Sequence, residues 1–156
     1  MAEQEHKDQP IKSATVAVPG ASALEALQAS LRGELLRSGD AAYDDARKIH
    51  NGMIVRHPAL IVQCAGVADV INAVNFARVN HLLVSVRGGG HNVAGFAVCD
   101  GGIMIDLSRM KSVWVDPVRQ TARAEGGVTW GTSITRRRPS AWPPPAAWRG
   151  QPGSPA

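Results

Sequence analysis

The sequence predicts an α+β fold, and two observations support this prediction. A strand–helix–strand succession over residues 60–86 predicts two parallel strands joined by a helix. Several short strands without intervening helices follow over residues 103–124. The chain has 156 residues, of which 44% are hydrophobic and 19% charged, so it has room for one domain with its own core.

The first predicted element is a helix from Ser22 to about Arg37. Ser22 is a suitable N-cap residue, and Ser38 with Gly39 supplies a helix stop. Leucines on one side of this helix would face the core: Leu24, Leu27, Leu31, Leu35 and Leu36. Residues 1–20 are polar and then contain proline and glycine, and we expect a flexible leader there.

The central unit begins with a β-branched run at residues 60–63, which suits a buried strand. Apolar residues at helical spacing then predict a helix over residues 66–80, and residues 82–86 form the second strand of a parallel pair. Further strands are predicted at residues 103–105, 113–115 and 121–124, with a turn at Asp116 and Pro117 between the last two. Earlier in the chain, a local helical charge pair is predicted among Asp44, Asp45 and Arg47.

The positive charge of the chain is concentrated in its tail, residues 132–156. This tail has four arginines and no acidic residue, and the other 13 basic residues balance the 13 acidic ones. Because the preceding sequence is neutral, it offers no electrostatic footprint for a phosphate backbone, and we expect no nucleic-acid partner.

No apolar run approaches the roughly 18 residues of a membrane span. The N-terminus does not resemble a signal peptide, so we expect a cytoplasmic protein without a membrane partner. Isolated Cys64 and Cys99 predict buried free thiols.

A glycine loop, Arg-Gly-Gly-Gly-His-Asn-Val-Ala-Gly, follows the second strand at residues 87–95. Three consecutive glycines remove every Cβ, so backbone N–H groups can close on an anion such as a pyrophosphate. The loop is neither the G-x-G-x-x-G fingerprint nor a Walker loop, because Val93, Phe96 and Ala97 occupy positions that those motifs reserve for other residues. On these residues alone, a tight turn with an incidental histidine is an equal alternative.

Segments in order along residues 39–131 resemble one known family. The chain is similar to FAD-linked oxidases of the berberine bridge enzyme type, which are vanillyl-alcohol-oxidase-like flavoproteins with a PCMH-type FAD-binding domain. The resembling segments are Tyr-Asp-Asp-Ala-Arg at 43–47, Asn-Gly-Met at 51–53, Arg-His-Pro-Ala-Leu-Ile at 56–61, Asp-Val at 69–70, residues 86–95, Cys-Asp-Gly-Gly at 99–102, Ile-Asp-Leu-Ser-Arg-Met at 105–110 and Val-Asp-Pro at 115–117.

The resemblance implies that residues 21–131 form the N-terminal part of such a domain and that FAD is the cofactor. His91 matches the histidine bonded through a ring nitrogen to the 8α-methyl of the flavin, a link that raises the reduction potential and prevents loss of the cofactor. The residues that match the segment around the FAD pyrophosphate are Arg87, Gly88, Gly89, Gly90, His91, Asn92 and Gly95.

The resemblance also implies hydride transfer from a small organic substrate to FAD and then to oxygen. No catalytic residue is assigned, because the catalytic base of the family lies further along than this chain extends. The cysteine that forms a second flavin link in many members also lies further along, so Cys99 is not that residue. Among the other polar residues, Asp106 and Ser108 are expected to cap a turn after a strand. His50 and His57 are expected to be surface or packing histidines.

The tail departs from the family pattern, in which a helix and a Thr-Pro-Gly-Gly turn follow. The tail can be back-translated with chosen synonymous codons, and one nucleotide can be restored before codon 132. Translation in the shifted frame then gives an amino-acid sequence that contains Ala-Thr-Pro-Gly-Gly-Val. Our hypothesis is a single-nucleotide deletion near the Gly131 codon, which predicts an out-of-frame, disordered tail and a chain that is inactive alone. Genomic DNA at that locus tests it. Two alternatives stay open: a non-catalytic remnant without a cofactor, and a protein that binds partners through its basic, Pro-rich tail.

Overall fold

The computed structural model of the chain describes residues 19–116 and 118–129. Its elements are α1 (Ala21–Ser30), β1 (Glu34–Arg37), α2 (Tyr43–Ala46), β2 (Leu60–Gln63), α3 (Val67–Val79), β3 (Val84–Arg87), β4 (Ile103–Asp106), β5 (Val113–Asp116) and β6 (Thr121–Ala124). The predicted α+β class is confirmed. The predicted tail at residues 132–156 lies outside the described residues, as does the leader apart from residues 19 and 20.

Four strands form a mixed sheet in the order β1-β2-β4-β3. β1 is antiparallel to β2, and β4 lies between β2 and β3 and is parallel to both. The predicted direct pairing of the two strands that flank α3 is therefore wrong, although they are parallel. All four residues of β4 are buried, which suits a central strand, whereas β3 has exposed valines and suits an edge.

Alternating residues of the sheet build a core on each of its faces. One face packs against α1 and α3, and the other packs against α2. Burying a side chain of this size contributes about 1.5–3 kcal/mol relative to leaving it exposed. The strand residues in the first core are Leu35, Leu60, Val62, Ile103 and Ile105, and those in the second are Leu36, Ile61 and Met104.

The predicted helix from Ser22 to Arg37 is wrong at both ends. The helix begins at Ala21 with Gly20 at its N-cap position and no side-chain cap, so Ser22 is not the cap. The helix ends at Ser30, and Leu35 and Leu36 belong to β1.

A buried carboxylate explains why the helix stops early. Asp69 is fully buried and accepts hydrogen bonds from the backbone N–H groups of Arg32 at 2.9 Å, Gly33 at 3.0 Å and Ala65 at 2.8 Å. Burial alone would raise the pKa of Asp69, but these bonds and one from Gly66 outweigh it and hold the pKa below the usual 3.8. The carboxylate thus ties the α1–β1 link to the start of α3.

Two smaller predictions are confirmed. Cys64 and Cys99 are free and buried, and burial, followed by the nearby carboxylates of Asp69 and Asp106, raises the pKa of the Cys64 thiol to about 12. β5 and β6 form an antiparallel hairpin, in whose turn the Asp116 carboxylate accepts two backbone N–H bonds; Pro117 lies outside the described residues. Within the described ranges, no helix is long and apolar enough to cross a membrane.

Candidate functional site

Three neighbouring parallel strands end at the same edge of the sheet. Gln63 of β2 and Arg87 of β3 are both in register with Asp106 of β4. Since β3 ends at Arg87, the glycine loop leaves the sheet at this carboxyl edge. Ligands of open sheets with parallel strands bind preferentially at such an edge.

Arg87 and Asp106 form a buried bidentate ion pair below the loop. Arg87 Nε and Nη2 donate to the two carboxylate oxygens of Asp106 at 3.0 and 2.6 Å, and the side chains are only 12% and 0% exposed. Arg87 Nη1 donates to the carbonyl oxygens of Ala46 and Lys48. The guanidinium charge is therefore compensated within the protein, and the Arg87 side chain fixes the base of the loop.

Asp106 also caps the turn that follows β4, as the sequence predicts. Its carboxylate accepts the backbone N–H of Ser108 at 2.9 Å and the Ser108 hydroxyl at 3.0 Å. One buried carboxylate thus fixes both the glycine loop and the segment facing it.

The structure disfavours a side chain at each of the three glycines of residues 88–90. A Cβ on Gly88 would overlap the carbonyl oxygen of Gly126, and a Cβ on Gly89 would lie 2.7 Å from Cδ2 of His91. Gly90 has a φ of +72°, in the left-handed region. No acceptor within residues 19–116 and 118–129 takes a hydrogen bond from the backbone N–H groups of residues 88–91. The loop therefore presents unused donors without side chains around them.

A cleft of about 290 Å³ lies beside these glycines. Lys48 and Lys111 place positive charge around it; the Lys48 ammonium also contacts the exposed Asp45 carboxylate at 2.7 Å. The cleft is lined by Lys48, Ile49, His50, Arg87, Gly88, Gly89, Gly90, Ser108, Lys111, Gly127 and Thr129. Free backbone donors together with lysines suit an anionic group such as a diphosphate.

The second half of the loop turns back toward the sheet. The Asn92 side chain accepts the N–H of Phe96 at 3.1 Å, and its carbonyl accepts the N–H of Gly95 at 3.1 Å. Gly95 has a φ of +77°, and a Cβ there would overlap Ile54. Asn92 and Gly95 thus shape the loop, and neither lines the cleft.

His91 is exposed beside the cleft, and its ring centroid lies 5.0 Å from that of His50 with a tilt of 51°. The sequence predicted a surface or packing histidine at His50, which is exposed, but did not predict its contact with His91, because residues distant in the chain give no local signal of their proximity. His57 is exposed and is bonded through its backbone to Asp100, so it is not part of this group. Among the described residues, no three His, Cys, Asp or Glu side chains form a metal site.

A glycine loop with free N–H donors at the carboxyl edge of parallel strands suits the diphosphate of a nucleotide cofactor. The family model described as FAD binding domain matches residues 58–135, half of the chain. The chain therefore belongs to the FAD-binding domain family of FAD-linked oxidoreductases, and both the predicted family and the predicted cofactor are confirmed.

Curated relatives agree with this identification. The chain is 40% identical over 105 residues to (R)-6-hydroxynicotine oxidase of Paenarthrobacter nicotinovorans, a match that covers 67% of this chain and 23% of the relative. It is 46% identical over 97 residues to the FAD-linked oxidoreductase hasG of Aspergillus fumigatus, with 62% of this chain and 20% of the relative covered. The chain thus spans about a fifth to a quarter of the length of these relatives.

Solved structures show the same fold. 6-Hydroxy-D-nicotine oxidase from Arthrobacter nicotinovorans matches with a TM-score of 0.65 and 38% identity over 69% of this chain and 24% of that chain. Carbohydrate oxidase from Microdochium nivale matches with a TM-score of 0.61 and 28% identity over 70% of this chain and 24% of that chain. A BBE-like protein from Physcomitrella patens matches with a TM-score of 0.58 and 27% identity over 64% of this chain and 22% of that chain. The described residues therefore have the fold of the first part of a PCMH-type FAD-binding domain.

Proposed function

We propose that this chain supplies the diphosphate-binding wall of a flavin-dependent oxidase and that His91 holds FAD covalently. One observation carries the proposal: unused N–H donors on a triple-glycine bend border a cleft beside an exposed imidazole. Bound FAD would accept a hydride from an organic substrate and pass the electrons to oxygen.

The residues of the loop have separate tasks in this proposal. The N–H groups of Gly88, Gly89 and Gly90 donate to phosphate oxygens, and the absence of Cβ atoms lets the backbone approach them closely. Lys48 and Lys111 provide the compensating charge across the cleft. Arg87 does not contact the phosphate in this proposal. Its ion pair with Asp106 fixes the position at which Gly88 leaves the sheet.

His91 is the proposed attachment point because it matches the flavin-linked histidine of the resembling family, and its exposed imidazole at the end of the glycine run is compatible with that role. The link replaces one imidazole N–H and one methyl C–H by a bond between a ring nitrogen and the 8α carbon. Forming this link releases two electrons and two protons, for which the flavin with oxygen would be the acceptor, giving hydrogen peroxide. A covalent bond retains the cofactor even when the rest of its site is open.

We further propose that the substrate is a small organic molecule and that the 156 residues alone do not oxidise it. Two similar proteins are named for oxidation of hydroxynicotine and of carbohydrate, so the likeness does not single out one compound. The chain spans about a fifth to a quarter of the curated relatives described above. A fragment that forms only one side of the flavin site can neither exclude water nor orient a substrate against the cofactor.

The test uses the purified chain incubated with FAD in air, followed by acid precipitation. We expect flavin fluorescence in the pellet and a flavin-modified peptide that contains His91. His91→Ala should abolish covalent flavin while reversible FAD binding persists, and the exposed His57→Ala serves as the matched control. A chain that stays colourless at saturating FAD refutes the proposal in favour of a remnant without cofactor. Covalent flavin on His91→Ala refutes the assigned attachment point. Oxygen uptake with candidate substrates tests the expected inactivity.

A further inference from the structure

His50 and His91 form a pair of rings beside the glycine loop, and His50 has no task in the function proposed so far. Their centroids are 5.0 Å apart and tilted by 51°. Aromatic pairs that attract one another have centroids about 4.5–7 Å apart, in offset-stacked or edge-to-face arrangements rather than directly face to face. The contact joins the segment that follows α2 to the glycine loop, which is distant in sequence.

Two hydrogen bonds hold the same segments together on either side of His91. The backbone N–H of His50 donates to the carbonyl oxygen of Gly90 at 3.0 Å. The Asn51 side-chain amide donates to the carbonyl oxygen of Val93 at 3.0 Å. The backbone on both sides of His91 is thus fixed by residues 50 and 51, which leaves the orientation of the imidazole as the remaining freedom.

The ring contact with His50 restrains that orientation. His91 is exposed, and the preceding residues 88–90 have no side chains that could pack against it. Within residues 19–116 and 118–129, His50 provides the one ring contact of His91. An imidazole without this contact would distribute over several rotamers.

We infer that His50 is a positioning residue, whose ring holds the His91 imidazole in the orientation needed for flavin attachment. This inference rests on the proposed covalent link at His91. Bond formation requires the ring nitrogen to approach one carbon along a defined direction, so restricting the rotamers beforehand accelerates it. His50 touches neither reacting atom and acts through His91.

The first test compares the rate of covalent attachment in His50→Ala, His50→Phe and wild type. His50→Ala keeps the backbone bond to Gly90 and loses the ring, and a lost aromatic contact should slow attachment roughly two- to tenfold. The rate is measured at saturating FAD, and reversible FAD affinity is measured separately in a His91→Ala background because His50 also lines the cleft; attachment should remain slow in His50→Ala even when the site is fully occupied. His50→Phe should restore the rate, which a general loss of folding would not allow, and His57→Ala is the control.

The second test needs no cofactor. The ring current of His50 should displace the His91 imidazole proton resonances, so His50→Ala should move them and His50→Phe should retain a displacement. Attachment by His50→Ala at the wild-type rate, or His91 resonances that do not move, overturns the inference and leaves the proposed function intact. A wild-type chain that attaches no flavin refutes the covalent link and the inference with it.

Discussion

Replacing Asp106 by Asn tests whether the buried ion pair fixes the candidate site. Asp106 has no exposed surface, and its carboxylate accepts two bonds from the Arg87 guanidinium and two from Ser108. Asn has the same shape and keeps one oxygen. It loses the charge, and its amide places a donor against the donors of Arg87 and Ser108.

Removing one partner of a buried ion pair costs about 3–5 kcal/mol, because the other charge stays buried without compensation. Since Asn retains one acceptor and Arg87 keeps two carbonyl partners, we expect the lower end, about 3 kcal/mol. With a urea m-value of roughly 1–3 kcal/mol/M, the midpoint of unfolding should fall by about 1–3 M. The affinity for FAD should fall as well, because the base of the glycine loop is no longer fixed.

Urea unfolding followed by far-UV circular dichroism measures this effect, and Glu34→Gln is the matched control. Glu34 forms an ion pair with Arg109 at 2.7 Å, similar in length to the buried pair, but both side chains are about half exposed. Exposed pairs contribute about 0–1 kcal/mol, so this control should hardly change the midpoint. Equal midpoints for the two variants would mean that solvent compensates the Arg87 charge, and the argument from burial would be refuted.

Three further predictions follow from other parts of the structure. Gly88→Ala should weaken FAD binding at least tenfold, because its Cβ would overlap the Gly126 carbonyl, whereas Gly52→Ala, with open space around it, should bind normally. Cys64 should resist thiol reagents at pH 8 until the chain is unfolded, since its pKa is about 12. Asp69, whose pKa is lowered by folding, stabilises the chain fully above pH about 4 and loses this effect as the pH falls through its folded pKa. Asp69→Asn should therefore flatten the acid dependence of the urea midpoint.

Local patterns predicted the elements whose packing follows from their own sequence. The α3 periodicity and the β2 run gave nearly the observed bounds, because each element is long enough or apolar enough to decide its own structure. The first helix was predicted too long because Leu35 and Leu36 continue the helical spacing of the earlier leucines. What ends the helix is the Asp69 carboxylate, which is distant in sequence and competes for the N–H groups of Arg32 and Gly33.

The candidate site shows the same division between local and distant information. The triple glycine and its histidine are contiguous, so the sequence located the loop and predicted an anion as its ligand. The partners that hold the loop come from other segments: Asp106 beneath Arg87, and His50 beside His91. The pairing of Asp106 with Arg87 was not predicted, because strand order decides that its strand lies next to β3, and local patterns did not reveal that order.

The pairing of Arg87 with Asp106 also explains how the loop can recognise an anion without a charged side chain at its centre. A free guanidinium at this position would compete with the backbone donors for the same phosphate oxygens and would hold them at the distance of a long side chain. Because Asp106 compensates the Arg87 charge, this guanidinium does not compete with the glycine N–H groups, and the positive charge at the cleft is that of Lys48 and Lys111. In the proposed function, the approach of a diphosphate would then be set by the backbone of the glycines rather than by the length of a side chain.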